Sequence, residues 1–260
     1  MTQRFIRTAA FGVLMLVVAS AFSERTSGQQ ASSQPARSQV TIVRIKPDMI
    51  DAWLDFQAKR TVPALKKAGV VQRDVYQAAY GTLGEFRVVT PIEKFADRDN
   101  PSPIERALGA AAAKEYNDTL RKMIASSSTL IIQAVPDLRL DPKPDAVYKL
   151  LVLSTVHVMP GRATEYLDFL QNEILPIEKK GETKRMFVSR VVLGGDGNEI
   201  RVARFAEKFA DLDAGPATVR VLGADGARKL GQKTAGIVAS TQTTVYVRNE
   251  TLSFRNRPQS

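Results

Sequence analysis

His157 is the only histidine in the chain, and cysteine is absent. A neutral imidazole can accept a proton or serve as an axial ligand to heme iron. One histidine without thiolates cannot build a typical zinc centre, which takes three or four protein ligands, so no metal site is expected. The lack of cysteine also excludes disulfides, thiolate nucleophiles and a lipidated N-terminal cysteine. The other polar residues with suggestive placement are Arg44, Arg87, Arg201, Arg190 and Tyr76. Guanidinium groups converging on one space bind a carboxylate or phosphate through forked hydrogen bonds. The plainer expectation is that they pair with Glu85, Glu199 or Asp74, or extend to water. Two tempting motifs carry no chemistry. Ser126-Ser127-Ser128 lacks the glycines of a nucleophile elbow. Gly194-Gly195-Asp196-Gly197 precedes a strand rather than a helix, which makes it a hairpin turn and not a phosphate loop.

The elements that must position these residues come in two similar sets. Shifted by 114 residues, Glu85–Ala110 falls on Glu199–Ala224 with 13 of 26 positions identical. Glu93-Lys94-Phe95-Ala96-Asp97 meets Glu207-Lys208-Phe209-Ala210-Asp211, and Arg87 meets Arg201. With a shift of 113, Pro47, Trp53, Phe56 and Pro63 meet Pro160, Tyr166, Phe169 and Pro176. Such collinear self-similarity indicates tandem duplication. The first repeat is expected over 40–135 and the second over 147–254. The proline- and aspartate-rich stretch 136–146 reads as an extended linker, and 255–260 as a tail.

Each repeat reads strand, helix, strand, strand, helix, strand. In the first, Val40–Lys46 alternates as a strand, and Pro47-Asp48 starts a helix that Pro63 should kink. Strands follow over Val70–Tyr80 and Glu85–Thr90, then a helix over Glu105–Ala125 and a strand over Ser127–Val135. The last helix of the second repeat, near Ala217–Ala239, contains four glycines and should be shorter or more mobile than its counterpart. This βαββαβ order is the ferredoxin-like topology. Two helices cover one face of the sheet, and the bare face has to be buried. Two copies in one chain can cover each other, sheet face to sheet face.

Side chains alternate across a strand. Val43, Ile45, Val156 and Val158 should face the helices, leaving Ile42, Arg44, Thr155 and His157 on the other side. Arg87 and Arg201 are expected to share a face in one parity, and Tyr76 and Arg190 form another matched pair. Trp53 and Tyr166 are expected to anchor the core. In the repeated Glu-Lys-Phe-Ala-Asp segment, Phe95 and Phe209 are expected to plug the barrel end, with Asp97 and Asp211 capping turns.

The strand ending in Val158-Met159-Pro160-Gly161, with a helix ending in Leu175-Pro176-Ile177-Glu178-Lys179-Lys180-Gly181, resembles the dimeric α+β barrel superfamily. That group includes NIPSNAP-like and antibiotic-biosynthesis-monooxygenase-like proteins. Pro63-Ala64-Leu65-Lys66-Lys67-Ala68-Gly69 plays the corresponding part in the first repeat. The resemblance implies an α+β fold in which two ferredoxin-like repeats form an intramolecular barrel with an interior cavity. It does not imply one reaction, because members range from cofactor-free monooxygenases to heme enzymes to proteins of no known activity.

Arg4 and Arg7 precede the apolar run Ala9–Val18, and Ala19-Ser20-Ala21 supplies small residues for cleavage. That is the pattern of a signal peptide over 1–21, its apolar run shorter than the roughly 20 residues of a membrane span. Residues 22–39, rich in Ser, Gln, Arg and Pro, read as a disordered leader. The mature protein is expected in the periplasm or outside the cell, without stable membrane insertion after cleavage. Net charge is +10, spread along the chain without a long basic run. No nucleic-acid partner is expected. The reading is a small-molecule-binding protein whose ligand is anionic or aromatic and held between the two sheets. No cofactor is required by it. The alternatives are a cofactor-independent or heme-dependent monooxygenase-like enzyme using His157, and a structural protein with a filled barrel. Association into homo-oligomers is left open.

Overall fold

A computed structural model describes residues 36–256. The expected signal peptide, most of the leader and the last four residues of the tail lie outside the described residues. Strand β1 (Arg37–Ile45) takes in the final three residues assigned to the leader. Arg37, Ser38 and Gln39 pair on both sides, with β3 and β4. Two waiting neighbours extend the strand where residue type alone would not.

Helix α1 (Ile50–Phe56) passes through a π-turn at Gln57–Thr61 into α2 (Val62–Lys67). The second half repeats this with α5 (Ala163–Phe169), a π-turn at Leu170–Ile174 and α6 (Leu175–Lys180). Pro63 and Pro176 account for both. A proline lacks the N–H and crowds the carbonyl four residues back, and a wider turn relieves the clash without ending the helix. The expected kink is therefore a local widening.

The first half continues with β2 (Gln72–Tyr80), β3 (Glu85–Ile92), α3 (Pro103–Leu108), α4 (Ala110–Met123) and β4 (Ile124–Leu140). The second contains β5 (Leu150–Val158), β6 (Arg185–Leu193), β7 (Glu199–Ala206), the short α7 (Ala210–Asp213), α8 (Ala217–Gln232) and β8 (Val238–Arg248). Gly109 and Gly223, at φ of +82° and +70°, break the second long helix of each half at matching positions. Residues with a side chain rarely adopt this conformation. Helix α8 stops at Gln232 rather than near Ala239, because Ile237 and Ala239 are needed by the core and by the next strand.

The hydrogen-bonded order is β4–β1–β3–β2 in the first half and β8–β5–β7–β6 in the second, the ferredoxin-like order in both. Pairings β4–β6 and β2–β8 join the two into a closed eight-stranded barrel. Closure leaves no free barrel edge. The chain belongs to the α+β class, with helices outside and the former bare faces turned inward.

Two segment boundaries differ from expectation. Strand β4 runs through Pro136 to Leu140, so the connection between halves is 141–149 rather than 136–146. Pro136 is accommodated because the β4–β6 register shifts between Ala134 and Arg139, where a missing N–H costs no ladder bond. At the other end, β9 (Phe254–Arg255) pairs with β2, so the tail begins inside the sheet.

The outer core lies between barrel wall and helices. Trp53, Val43, Ile45 and Phe86 form its first part, and Tyr166, Val156, Val158 and Ile200 its second. Trp53 and Tyr166 are both buried, as the anchor role requires. The repeated Glu-Lys-Phe-Ala-Asp segment does not plug the barrel. Phe95 and Phe209 are more than two-fifths exposed. Phe95 lies under the Arg37 guanidinium, and Phe209 packs edge-on against Tyr80. Asp211 does cap, accepting from the backbone N–H of Glu207 and Lys208 at 2.9 and 3.2 Å.

Candidate functional site in the barrel interior

Cross-strand partners share a face, and they place the proposed residues. Ile42 pairs with Arg87, and Arg87 with Tyr76. Thr155 pairs with Arg201, and Arg201 with Ser189. The alternate residues Val43, Val75, Phe86, Val156, Val188 and Ile200 all lie in the outer core. Arg87, Arg201 and Tyr76 therefore point into the barrel. Arg190 does not. It pairs with Ile200, an outer-core residue, and is itself exposed. The structural counterpart of Tyr76 is Ser189, because each lies opposite the arginine of its own half. Pairing Tyr76 with Arg190 is one residue out of register, and a one-residue slip in a strand reverses the face.

Arg44 and His157 have the inward parity but stand at the C-terminal ends of β1 and β5. Arg44 pairs with Glu85, and His157 with Glu199. Both are exposed or nearly so. His157 Nδ1 lies 3.2 Å from Asp196 Oδ2, across the β6–β7 turn. The Asn198 backbone N–H, then the His157 contact, hold the Asp196 carboxyl below its ordinary range. A carboxyl whose pKa is lowered by folding contributes stability above its unfolded pKa, and loses it as pH falls through the folded value. A carbon-13 titration is expected to place Asp196 below the ordinary aspartate value, and His157→Ala is expected to raise it.

Deeper in the barrel the two halves offer the same glutamate–x–arginine motif. Arg87 and Arg201 are each 5% exposed. Arg87 Nη1 donates to Tyr246 Oη at 3.4 Å, and its guanidinium lies over the Tyr246 ring at 5.5 Å. The Tyr246 hydroxyl in turn donates to Glu85 Oε1 at 2.6 Å. Tyr246 reaches this place because its cross-strand neighbour on β2 is the small Ala78. Burial raises the pKa of Tyr246 and of Tyr76, so both remain phenols. Removing the bridging hydroxyl with Tyr246→Phe is expected to cost about 1–3 kcal/mol of stability in urea unfolding, since Glu85 and Arg87 both lose a buried partner.

Arg201 is less well satisfied. Its Nε donates to Glu199 Oε1, but Nη1 is buried and has no hydrogen-bond partner among the described residues. Burial, then the charge of Arg87, lowers its pKa, and Glu199 opposes both. An unpaired buried guanidinium donor is costly, of the order of 1–3 kcal/mol or more for a charged group. Sequence reasoning found both arginines but missed Tyr246 and the unequal partnering. The only available signal was the aromatic in β8 that has no aromatic counterpart in β4.

A heme fits poorly at His157. The Asp196 contact is of a kind that orients a ligating imidazole. Yet the neighbours are Glu199, Ser240 and Asp196, polar groups at a partly exposed strand end rather than an apolar slot.

A closed α+β barrel is an architecture found in other solved structures. An anthrone oxidase-like protein matches at a TM-score of 0.58 and 11% identity, over 84% of this chain and 93% of its own. A candidate monooxygenase from Lactobacillus acidophilus NCFM matches at 0.53 and 9% identity, over 86% of this chain and all of its own. A candidate chlorite dismutase matches at 0.50 and 11%, over 84% and 96%. At these identities the likeness is one of fold. Neither a protein-family model nor a curated protein matches the chain.

Proposed function

We propose that this chain is an exported small-molecule-binding protein, arisen by duplication of a ferredoxin-like unit, whose ligand is anionic or aromatic and sits between the two sheets. The observation that carries this reading is the buried Arg201 nitrogen with no acceptor. Arg87 and Tyr76 line the same interior, and Arg44 and His157 stand at the strand ends bordering it. A monooxygenase-like activity is the alternative. It draws on the likeness of fold to proteins named for such reactions, whereas binding draws on this chain's own guanidinium.

Thermal unfolding against a panel of organic monoanions and neutral aromatics tests the proposal. A ligand at 100 times its dissociation constant stabilises by about 2.7 kcal/mol, which raises Tm by roughly 5–10 °C in a domain of this size. A panel without any shift would overturn the reading and favour the filled barrel. Incubation with hemin separates the heme alternative: no Soret band that depends on His157 is expected, and one lost on His157→Ala would revive it.

A further inference from the structure

The two arginine sites are built on the same plan but completed differently, and the difference points to one ligand position. Each inward-facing residue around Arg87 has a counterpart around Arg201 by strand register. Tyr76 corresponds to Ser189, Ala78 to Val191, Tyr246 to Ile132 and Arg248 to Ala134. Around Arg87 these positions hold two phenols and a second guanidinium, and Tyr246 supplies the hydrogen bond that Arg87 needs. Around Arg201 they hold Ser189, Val191, Ile132 and Ala134. None of them offers a phenol or a long charged group. Here lies the physical reason that Nη1 of Arg201 is unpartnered: Ile132 stands where the first half has Tyr246.

Side-chain volume falls at three of the four positions and rises only from Ala78 to Val191. Tyrosine and arginine are replaced by serine and alanine, and Ser189, Ala134 and Ile132 are half-buried where Tyr76 and Tyr246 are buried. The Arg201 half thus combines smaller side chains at three of these positions, an apolar wall and a buried guanidinium nitrogen without a partner. Val40 and Leu130 extend that wall.

Resting on the binding reading above, we propose that the ligand occupies the Arg201 half alone, and that it is a small apolar acid with a single oxyanion. Its carboxylate or enolate oxygen accepts from Arg201 Nη1, and its hydrocarbon body lies against Ile132, Val191, Leu130 and Ala134. The Arg87 half is the self-completed copy, with Tyr246 in the ligand's place. A phosphate dianion fits less well. A neighbouring Glu199 carboxylate and an apolar wall favour a low charge and an oily body.

Isothermal titration of the whole chain with benzoate and hexanoate tests this, with benzyl alcohol and inorganic phosphate as contrasts. Saturation at one acid per chain is expected, with phosphate and the alcohol at least tenfold weaker. Arg201→Met and Ile132→Tyr should each weaken the acid at least tenfold, the second by building the missing phenol into the site. Ala134→Leu narrows the same half without touching the guanidinium and should do likewise, which keeps the test intact if Ile132→Tyr does not fold. Arg190→Ala, on the outer face, should change nothing. Two equivalent sites per chain, or acid binding that survives both Ile132→Tyr and Ala134→Leu, would overturn the assignment to this half. Tight binding of phosphate or the alcohol but not of the acids would overturn the ligand class while leaving interior binding standing. Failure of every compound, here and in the wider panel, would sink the binding reading itself.

Discussion

Trp53→Ala is expected to lower the unfolding free energy by about 3–5 kcal/mol, among the largest losses open to a single substitution in this chain. Trp53 is 1% exposed and packs on Phe86 with ring centroids 4.4 Å apart. Phe86 stands on β3 between Glu85 and Arg87, with its ring on the outer side of the wall. The tryptophan therefore clamps α1 onto the strand that presents the interior charges. Alanine would leave a hole that the closed wall cannot collapse to fill, because both neighbours of β3 are held in register. Urea unfolding followed by circular dichroism measures the loss. A change below about 1 kcal/mol, the ordinary size for a point mutation, would mean that the helix layer is not anchored where the packing places it.

The fold was legible in the sequence for a physical reason. Strand periodicity, the prolines opening the helices and the matching of Glu93–Asp97 with Glu207–Asp211 are local signals, and together they define two βαββαβ units. The bare face of each unit then demands a partner. The sequence does not reveal how that demand is met. The halves close edge to edge through β4–β6 and β2–β8 as well as face to face. Pairing between distant strands is also what draws Pro136, Arg37 and Arg255 into the sheet against their local preference.

The candidate site was half legible. Inward parity was correct for Arg44 and His157, and Arg87 and Arg201 do share a face. Arg190 failed because a repeat aligned at 114 residues over one stretch and 113 over another leaves single-residue register uncertain, and one residue decides the face. Phe95 and Phe209 failed because identity between the two segments marks a shared local turn, in which the N–H groups of Asp97 and Asp211 donate to the carbonyls of Lys94 and Lys208, without saying that the aromatic is buried. The difference between Tyr246 and Ile132 was legible as letters. It acquired meaning only once register put each beside its arginine.

Arg185→Met is expected to destabilise the protein by about 3–5 kcal/mol, the range for breaking a buried ion pair from one side. The sequence offered no hint of this residue's role. Its side chain is 6% exposed, as is that of Asp141, to which Nε donates at 2.6 Å. The remaining nitrogens donate to the carbonyls of Lys143, Pro144 and Ala146, all in the connection between the halves. The guanidinium also lies over Tyr148 at 4.6 Å, with the Phe187 and Phe205 rings nearby. One side chain thus fixes a connection of nine residues, two prolines and two aspartates among them, to the start of β6. Lysine has the charge but not the planar fork, so Arg185→Lys should recover little of the loss. Urea unfolding gives the stability, and limited proteolysis within 141–149 should accelerate in both variants. If the lysine variant matches the original chain in both measurements, the connection is held by charge alone and the forked geometry carries no weight.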